Sequence, residues 1–370
     1  MVVVPARPAG AATLTPVASF GANPGNLAMY AYRPDNLPTG GPLVVALHGC
    51  SQSANDYFAH SGWRKYADRW GFALVLPEQK TTNNSSRCFN WFEPGDTRRD
   101  HGEAASIRNM INYVVGNYGI DPARIYITGL SAGGAMTAAM LAAYPDVIAG
   151  GSVVAGIPYG CATSMITAFS CMNPGVDRTP AQWGDLVRGA YPGYQGPRPK
   201  VAIWHGTSDY VVATANATES RDQWTNVLGV SSIPTSTTLL PAGTTLESYG
   251  SDVVRVYRIA GMGHGTPVDP GSSLDQCGTA GAYFLDTICS AYRDALFFGL
   301  DGAGGGEPGE PTPDPVCVTA NNYMHVQAGR AYHFGGYAYA RGSGQLMGLY
   351  NIFATTNLRQ TGPDYWVIGC

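Results

Sequence analysis

The chain has 370 residues and a formal net charge of −4, with 45% hydrophobic and only 13% charged residues. This balance excludes a disordered chain and a broad basic surface, so we expect neither nucleic acid nor an anionic membrane as a partner. The 48 Gly and 26 Pro residues indicate a compact, loop-rich protein, and the length allows one large domain with a small addition.

Short β-rich runs alternate with amphipathic segments, which is typical of a mostly parallel sheet with helices on both faces. We predict strands at Leu43–Leu47, Phe72–Leu76, Ile125–Thr128, Ser152–Ala155, Val201–Trp204 and Val253–Ile259. We predict helices at Asn55–Trp70, Glu103–Tyr118, Gly133–Tyr144, Ala215–Leu228 and Ala280–Phe298. The order predicts an α/β fold over residues 1–300.

Residues 301–315 are dominated by Gly, Pro and acidic residues, a composition that predicts a linker. The following segment, residues 316–370, is rich in Tyr, Phe, Thr and Gly, and we expect short strands there with few helical turns. Its Tyr residues and Trp366 suggest an adhesive face for a polymer, and simple stabilisation or a role in export is the alternative.

Eight cysteines lie at positions 50, 88, 161, 171, 277, 289, 317 and 370 without the CxxC spacing of a metal site. We interpret them as disulfides of a secreted protein, with buried thiols in a cytosolic protein as the alternative. The sequence allows about a hundred pairings. Proximity favours Cys161 with Cys171 and Cys277 with Cys289, the last segment is bracketed by Cys317 and Cys370, and Cys50 is left with Cys88.

No apolar run approaches the roughly 18 residues that span a bilayer. Met1–Gly10 lacks the pattern of a signal peptide, so we expect the chain to begin near a mature terminus.

The segment Gly129–Gly133 has the pattern Gly-x-Ser-x-Gly between a predicted strand and an alanine-rich predicted helix. Small residues on both sides of Ser131 allow the strained strand-to-helix turn that presents a nucleophilic hydroxyl, known as a nucleophile elbow. The pentapeptide alone could be an ordinary Gly-rich turn, but its two flanking elements favour the elbow. We therefore predict Ser131 as a nucleophile on an α/β-hydrolase fold.

In this fold the acid and the histidine follow the serine in chain order, on loops after later strands. Asp209 follows the strand Val201–Trp204, and His264 follows the strand Val253–Ile259 in a Gly-rich loop. We predict that Asp209 orients His264 and that His264 is the general base for Ser131. His205 is interpreted as a structural residue beneath the acid loop.

An oxyanion hole requires two N–H donors, one from the residue after the nucleophile and one from the loop after an early strand. Ala132 is predicted to supply the first and Cys50 the second. His48 either shapes this loop or is simply a satisfied histidine at a strand end.

Several motifs together resemble the polyhydroxybutyrate depolymerase family of esterases, which also holds feruloyl and acetylxylan esterases. They are His-Gly-Cys at 48–50, Cys-Phe-Asn-Trp-Phe at 88–92, Gly-Leu-Ser-Ala-Gly-Gly-Ala-Met at 129–136, His-Gly-Thr-Ser-Asp at 205–209 and Gly-His-Gly at 263–265. The resemblance covers about residues 10–300. It implies a secreted α/β-hydrolase that uses Ser131, Asp209 and His264, with Cys50 both in the oxyanion hole and disulfide-linked to Cys88. Residues 325–332 and 361–369 look like an appendage of secreted bacterial polymer hydrolases.

Substrate contacts are predicted for Trp91, Trp204 and Tyr210, with ordinary core packing as the alternative for each aromatic ring. We expect a monomeric secreted serine esterase without cofactor or metal, acting on an insoluble polyester. The expected substrate is poly(3-hydroxybutyrate) or another polyhydroxyalkanoate, cleaved through an acyl-enzyme. A feruloyl or acetylxylan esterase, a serine peptidase of similar fold and a non-catalytic polymer-binding protein are the alternatives.

Overall fold

A computed structural model describes residues 12–302, 317–362 and 365–369. The chain divides into two compact units, Met1–Gly305 and Gly306–Cys370, called here the large unit and the small unit. Most of the predicted linker at 301–315, together with Cys370, lies outside the described residues. The linker and the Cys317–Cys370 disulfide therefore stay predictions.

The described part of the large unit contains strands β1 to β12 and helices α1 to α9. The strands are β1 (Thr15–Pro16), β2 (Ala28–Tyr32), β3 (Gly41–Leu47), β4 (Ala73–Glu78), β5 (Ile120–Leu130), β6 (Gly150–Val154), β7 (Lys200–Gly206), β8 (Ser236–Leu240), β9 (Thr244–Tyr249), β10 (Val254–Ile259), β11 (Thr266–Val268) and β12 (Phe284–Asp286). The helices are α1 (Ala54–His60), α2 (Trp63–Trp70), α3 (Pro94–Thr97), α4 (Gly102–Tyr118), α5 (Ala132–Ala143), α6 (Met165–Met172), α7 (Pro180–Ala190), α8 (Ala215–Leu228) and α9 (Ser290–Phe298).

Ten of these strands form one sheet in the order β1-β2-β4-β3-β5-β6-β7-β10-β9-β8. The central strands β4, β3, β5, β6, β7 and β10 pair in parallel, and antiparallel pairs close both edges. Because parallel strands end at one edge of the sheet, the loops after β3, β5, β7 and β10 gather there. The predicted α/β-hydrolase fold with a mostly parallel sheet is confirmed.

Successive side chains of each strand point to opposite faces of the sheet, and helices bury the central strands on both faces. In β3, Leu43 and Val45 pack with α4 and α5 in one core cluster, whereas Val44 and Ala46 pack with α1, α2 and α9 in another. Every residue of the alanine-rich helix α5 is buried, which holds the turn before it in a fixed position.

Two predicted helices are wrong in part. The helix predicted at Asn55–Trp70 is split into α1 and α2 at Gly62, which has the left-handed φ of 87°. A Cβ atom at Gly62 would lie 2.4 Å from the Cys277 sulfur, so tertiary packing imposes the break. The helix predicted at Ala280–Phe298 begins only at Ser290, because Phe284–Asp286 pairs with β11 instead.

Sequence reasoning missed the antiparallel edge strands β1, β2, β8 and β9 and the helices α3, α6 and α7. β1 has only two residues and β8 is mostly exposed, so these two strands lack the apolar run that identified the central strands. No helix in the described ranges is long and apolar enough to cross a membrane.

The described part of the small unit contains two three-stranded antiparallel sheets and one short helix. Its elements are β13 (Cys317–Asn321), α10 (Asn322–Gln327), β14 (Ala331–Phe334), β15 (Tyr337–Ala340), β16 (Leu346–Leu349), β17 (Thr355–Gly362) and β18 (Tyr365–Ile368). The sheet orders are β13-β17-β18 and β14-β15-β16. Its small core includes Leu358 and Trp366, so the adhesive role suggested for Trp366 is wrong.

Candidate active site

Ser131 lies in the sharp turn between β5 and α5. Its φ of 57° and ψ of −116° are strained for a residue with a side chain, as a nucleophile elbow requires. The Ser131 N–H donates to the Val154 carbonyl at 2.9 Å, and its carbonyl accepts from the Ala135 N–H at 2.8 Å. A Cβ atom at Gly133 would lie 2.5 Å from the Leu47 carbonyl oxygen, so only glycine fits beside this turn.

Asp209 is buried in the loop after β7. Its Oδ1 accepts from the backbone N–H groups of Val211 and Val212, both at 2.9 Å. Burial by itself raises the pKa of Asp209, but hydrogen bonds from His205 and His264 and the Val212 N–H outweigh it and hold the pKa well below its ordinary value. Asp209 is therefore a carboxylate at neutral pH.

His264 lies in the loop after β10, and its Nδ1 is 2.7 Å from Asp209 Oδ2. With a carboxylate as acceptor, Nδ1 carries the proton and donates it in this hydrogen bond. The two loops are tied together by the Ser208 N–H, which donates to the Met262 carbonyl at 2.9 Å. The Tyr283 ring meets the His264 ring edge-on at 6.3 Å, just before β12. The pairing of β11 with β12 thus supports the histidine loop from one side.

A pocket of about 640 Å³ opens at Ser131. Its polar lining residues, called here the polar wall, are Asn83, Asn84, Ser85, Ser86, Asn90 and Glu93. Its apolar lining residues, called here the apolar wall, are Trp91, Phe92, Ile157, Met165, Ala168, Phe169 and Met172. Cys50 and Ala132, the predicted oxyanion donors, line the same pocket.

The loop that carries Cys50 is held by a buried histidine. The Gln79 N–H donates to His48 Nε2 at 3.1 Å, so His48 Nδ1 carries the proton and donates to the Gly49 carbonyl at 2.7 Å. Burial lowers the pKa of His48 to about 4, so the ring stays neutral in this arrangement. Of the two interpretations of His48, its contacts support the one in which it shapes the loop.

Glu103, at the start of α4, connects this histidine to the pocket wall. Its Oε2 accepts from the Asn90 N–H at 2.9 Å, and its Oε1 accepts from the Gln79 side chain. The Gln79 side chain also donates to the Cys88 carbonyl at 3.1 Å. Burial and the nearby Asp96 carboxylate raise the pKa of Glu103 to about 8, although the two N–H donors oppose them.

We expect Glu103 to contribute a falling slope to the stability of the protein as the pH rises from about 4.5 toward 8. The pKa of Glu103 rises from 4.5 to about 8 on folding, so the folded chain binds more protons than the unfolded chain in this interval. Glu103→Gln removes the titration and should flatten the slope by at most about 1.4 kcal/mol per pH unit. Urea unfolding of wild type and variant between these pH values measures it.

The matched control is Glu93→Gln, which changes an exposed carboxyl in the pocket lining. It should leave the dependence of stability on pH unchanged. The comparison uses slopes because glutamine cannot accept both N–H bonds of Glu103 and costs some stability at every pH. Equal slopes for wild type and Glu103→Gln would contradict the prediction.

The described residues include three disulfides. Cys50 is bonded to Cys88, Cys161 to Cys171 and Cys277 to Cys289. These are the pairings that proximity and elimination favoured. They close short loops of the chain, and such bonds typically stabilise a protein by about 2–4 kcal/mol each.

The predicted substrate contacts have different outcomes. Trp91 lines the pocket with Ser131. Trp204 was wrongly predicted, because its side chain is 0% exposed, stacks on Tyr257 at 3.7 Å and donates from Nε1 to Asp294 at 2.8 Å. Tyr210 is 85% exposed and does not line the pocket, so its substrate contact stays a prediction.

Sequence reasoning missed the apolar wall that α6 contributes to the pocket. A signal was present, since no charged residue occurs between Asp146 and Asp177. The Gln79–Glu103 pair was also missed, because the two residues meet only through the packing of α4 against β4. Within the described residues there is no group of three or more His, Cys, Asp or Glu side chains that could hold a metal ion.

The known proteins that this chain resembles are esterases and a depolymerase. The family model described as esterase PHB depolymerase matches residues 27–248. The chain is 54% identical over 293 residues to poly(3-hydroxyalkanoate) depolymerase C of Paucimonas lemoignei, covering 78% of this chain and 70% of that protein. It is 39% identical over 270 residues to an acetylxylan esterase of Coprinopsis cinerea, covering 71% of each chain. The solved acetyl xylan esterase of Aspergillus awamori superposes with a TM-score of 0.68 at 27% identity, covering 78% of this chain and 99% of that one.

The parallel sheet and its strand-to-helix serine turn define an α/β-hydrolase esterase. The chain belongs to the PHB depolymerase family of esterases and is a carboxylic ester hydrolase. Membership of an enzyme family argues against the alternative of a non-catalytic polymer-binding protein.

Proposed function

We propose that this protein is a secreted serine esterase that hydrolyses an aliphatic polyester of the poly(3-hydroxyalkanoate) class. The observation that carries the proposal is the pocket that Ser131, Cys50 and Ala132 line together with the residues of the apolar wall. Aliphatic ester chains are uncharged and largely apolar, so they suit such a wall. The 54% identity to a poly(3-hydroxyalkanoate) depolymerase supports the same substrate class.

In the proposed mechanism, His264 Nε2 accepts the Ser131 hydroxyl proton while Oγ attacks the ester carbonyl carbon. The carbonyl oxygen becomes an oxyanion that accepts hydrogen bonds from the N–H groups of Cys50 and Ala132. The protonated His264 then gives its proton to the leaving alkoxide, which departs as an alcohol and leaves an acyl group on Ser131.

Deacylation repeats these steps with water as the nucleophile. His264 accepts a proton from water, hydroxide adds to the acyl carbon, and Ser131 regains the proton as the acid product leaves. Asp209 remains a carboxylate throughout, because its pKa lies well below its ordinary value. Its negative charge stabilises the imidazolium form of His264 in both transition states, and its hydrogen bond fixes the ring.

A second candidate function is the hydrolysis of feruloyl or acetyl esters on plant-wall xylan. The polar wall of the pocket, with Asn83, Asn84, Ser85 and Ser86, offers side-chain amides and hydroxyls that suit sugar hydroxyl groups. An acetylxylan esterase and a feruloyl esterase B also share 39% and 36% identity with this chain. The apolar wall and the higher identity favour the polyester.

The test is a comparison of three substrates under one condition: a poly(3-hydroxybutyrate) suspension, acetylated xylan and feruloylated arabinoxylan. We expect the wild-type protein to clear the polyester and release 3-hydroxybutyrate acids, with slower release from both xylans. Release from xylan without clearing of the polyester would reject the polyester proposal and support the second candidate.

The small unit supplies a candidate adhesive surface, which we propose binds the polymer. The register of β14, β15 and β16 puts Tyr332, Phe334, Tyr337, Leu346 and Leu349 on one face, and all five are exposed. We expect Phe334→Ser to weaken adsorption of the full chain to polyester granules without changing hydrolysis of a soluble ester. Adsorption equal to that of the wild type would reject this role.

We also propose that the protein is exported and monomeric. The three disulfides support an oxidising compartment, because thiols stay reduced in the cytosol. Culture fractionation and light scattering test the two statements separately.

A further inference from the structure

Helix α6 exposes large apolar side chains to solvent. Ile166 is 84% exposed and Phe169 is 66% exposed, and Met165 is also exposed. Soluble proteins rarely expose contiguous apolar side chains, and those that they do expose often mark an interaction site. The outer face of α6 is therefore a candidate contact surface.

The exposed face continues onto a second segment of the large unit. The Asn173 side chain donates to the Tyr210 carbonyl at 3.0 Å, and the Ala213 N–H donates to the Met172 carbonyl at 2.8 Å. These bonds join the end of α6 to the loop that holds Tyr210 and Val211, which are both exposed. We call this surface the apolar rim; its residues are Met165, Ile166, Phe169, Tyr210 and Val211.

The chemistry of the apolar rim suits an uncharged partner. The sequence has no charged residue between Asp146 and Asp177, a range that includes all of α6. The carboxyl next to Tyr210 is that of Asp209, which is buried. Because the rim residues themselves carry no charge, a charged or strongly hydrated partner would lose solvation there without gaining an ion pair from the rim.

The apolar rim is continuous with the pocket at Ser131. Met165 and Phe169 are exposed to solvent and also line the pocket. An ester chain in the pocket that continues outward would therefore meet the rim. This continuity identifies the occupant by its chemistry as more of the same polymer.

The apolar rim is also preformed. The Cys161–Cys171 disulfide closes the segment around α6, and a capping box between Ser164 and Thr167 fixes the start of the helix. Because the helix is held before binding, little conformational entropy is lost when it meets a surface.

We propose that the apolar rim is a contact of the large unit with the solid surface of an aliphatic polyester, separate from any contact made by the small unit. The proposal rests on the polyester function proposed above. The rim holds the mouth of the pocket against the solid, so that polymer segments at the surface reach Ser131. Two attachment points on one chain would raise the overall affinity by acting together.

The test uses Ile166→Gln in the full chain, because Ile166 is the most exposed of the large apolar residues of α6 and does not line the pocket. We expect its adsorption constant on poly(3-hydroxybutyrate) film, and its hydrolysis rate on the film, to fall about tenfold as the apolar contact is lost. The kcat/KM for soluble p-nitrophenyl butyrate should not change. Ile166→Trp, which enlarges the apolar side chain, should strengthen adsorption.

The matched controls are Ile233→Gln and Leu239→Gln, since these residues are 75% and 81% exposed and lie outside the rim. Both controls should adsorb and hydrolyse as the wild type does. If the wild type hydrolyses the film and Ile166→Gln behaves like the controls, the rim proposal is overturned and the polyester function stands. If the wild type does not hydrolyse the film, the polyester function fails and the rim proposal fails with it. A wild-type dimer that Ile166→Gln converts to a monomer would assign the rim to a second copy and overturn the proposal.

Discussion

We expect Ser131→Ala to lower kcat for ester hydrolysis by roughly 10⁴-fold or more, because the variant has no hydroxyl to form the acyl-enzyme. The fold should survive the change. Ser131 Oγ has no hydrogen-bond partner among the described residues, and alanine meets the strained φ of 57° with the same Cβ atom. Measured kcat and the thermal midpoint of the purified variant test both parts.

The control for this variant is Ser208→Ala, which makes the same chemical change on the loop beside Asp209. It should keep wild-type kcat within a small factor. Adsorption to polymer should be the same for wild type and Ser131→Ala, since neither proposed adhesive surface includes the serine. Substantial hydrolysis by a folded Ser131→Ala protein would remove the acyl-enzyme mechanism altogether.

Asp209→Asn should lower kcat by roughly 10⁴-fold, because the change reverses the hydrogen bond that orients the base. The amide oxygen of the variant side chain could still accept from the N–H groups of Val211 and Val212, so the loop should keep its shape. The new amide N–H would face His264 Nδ1, and the ring would then carry its proton on Nε2. In that tautomer His264 cannot accept the Ser131 proton.

Its control is Asp185→Asn, which removes an exposed carboxylate paired with Arg188 on α7 and should change kcat little. Steady-state kinetics and the unfolding midpoint should be measured on both variants. A folded Asp209→Asn protein with near wild-type kcat would show that another group orients His264.

The central strands were predictable because each is a short apolar run between turns, and burial on both faces demands such runs. The edge strands β8 and β9 were not, since β8 is mostly exposed and only its pairing with β9 defines it. Residues 280–289 fit a helix locally, yet the Cys277–Cys289 bond and the pairing of β12 with β11 hold them in another shape.

The sequence by itself determined the α/β-hydrolase fold and the positions proposed for the nucleophile, acid and base. These features depend on local order along the chain: a strand, a small-residue turn, a helix and two later strand ends. Only the tertiary structure decided that Trp204 is core, that Glu103 bonds the Gln79 whose N–H holds His48, and that α6 contributes to both the pocket lining and the apolar rim. The reason is physical, since burial and contact between distant segments depend on how the elements pack, and no local pattern encodes the neighbours that packing supplies.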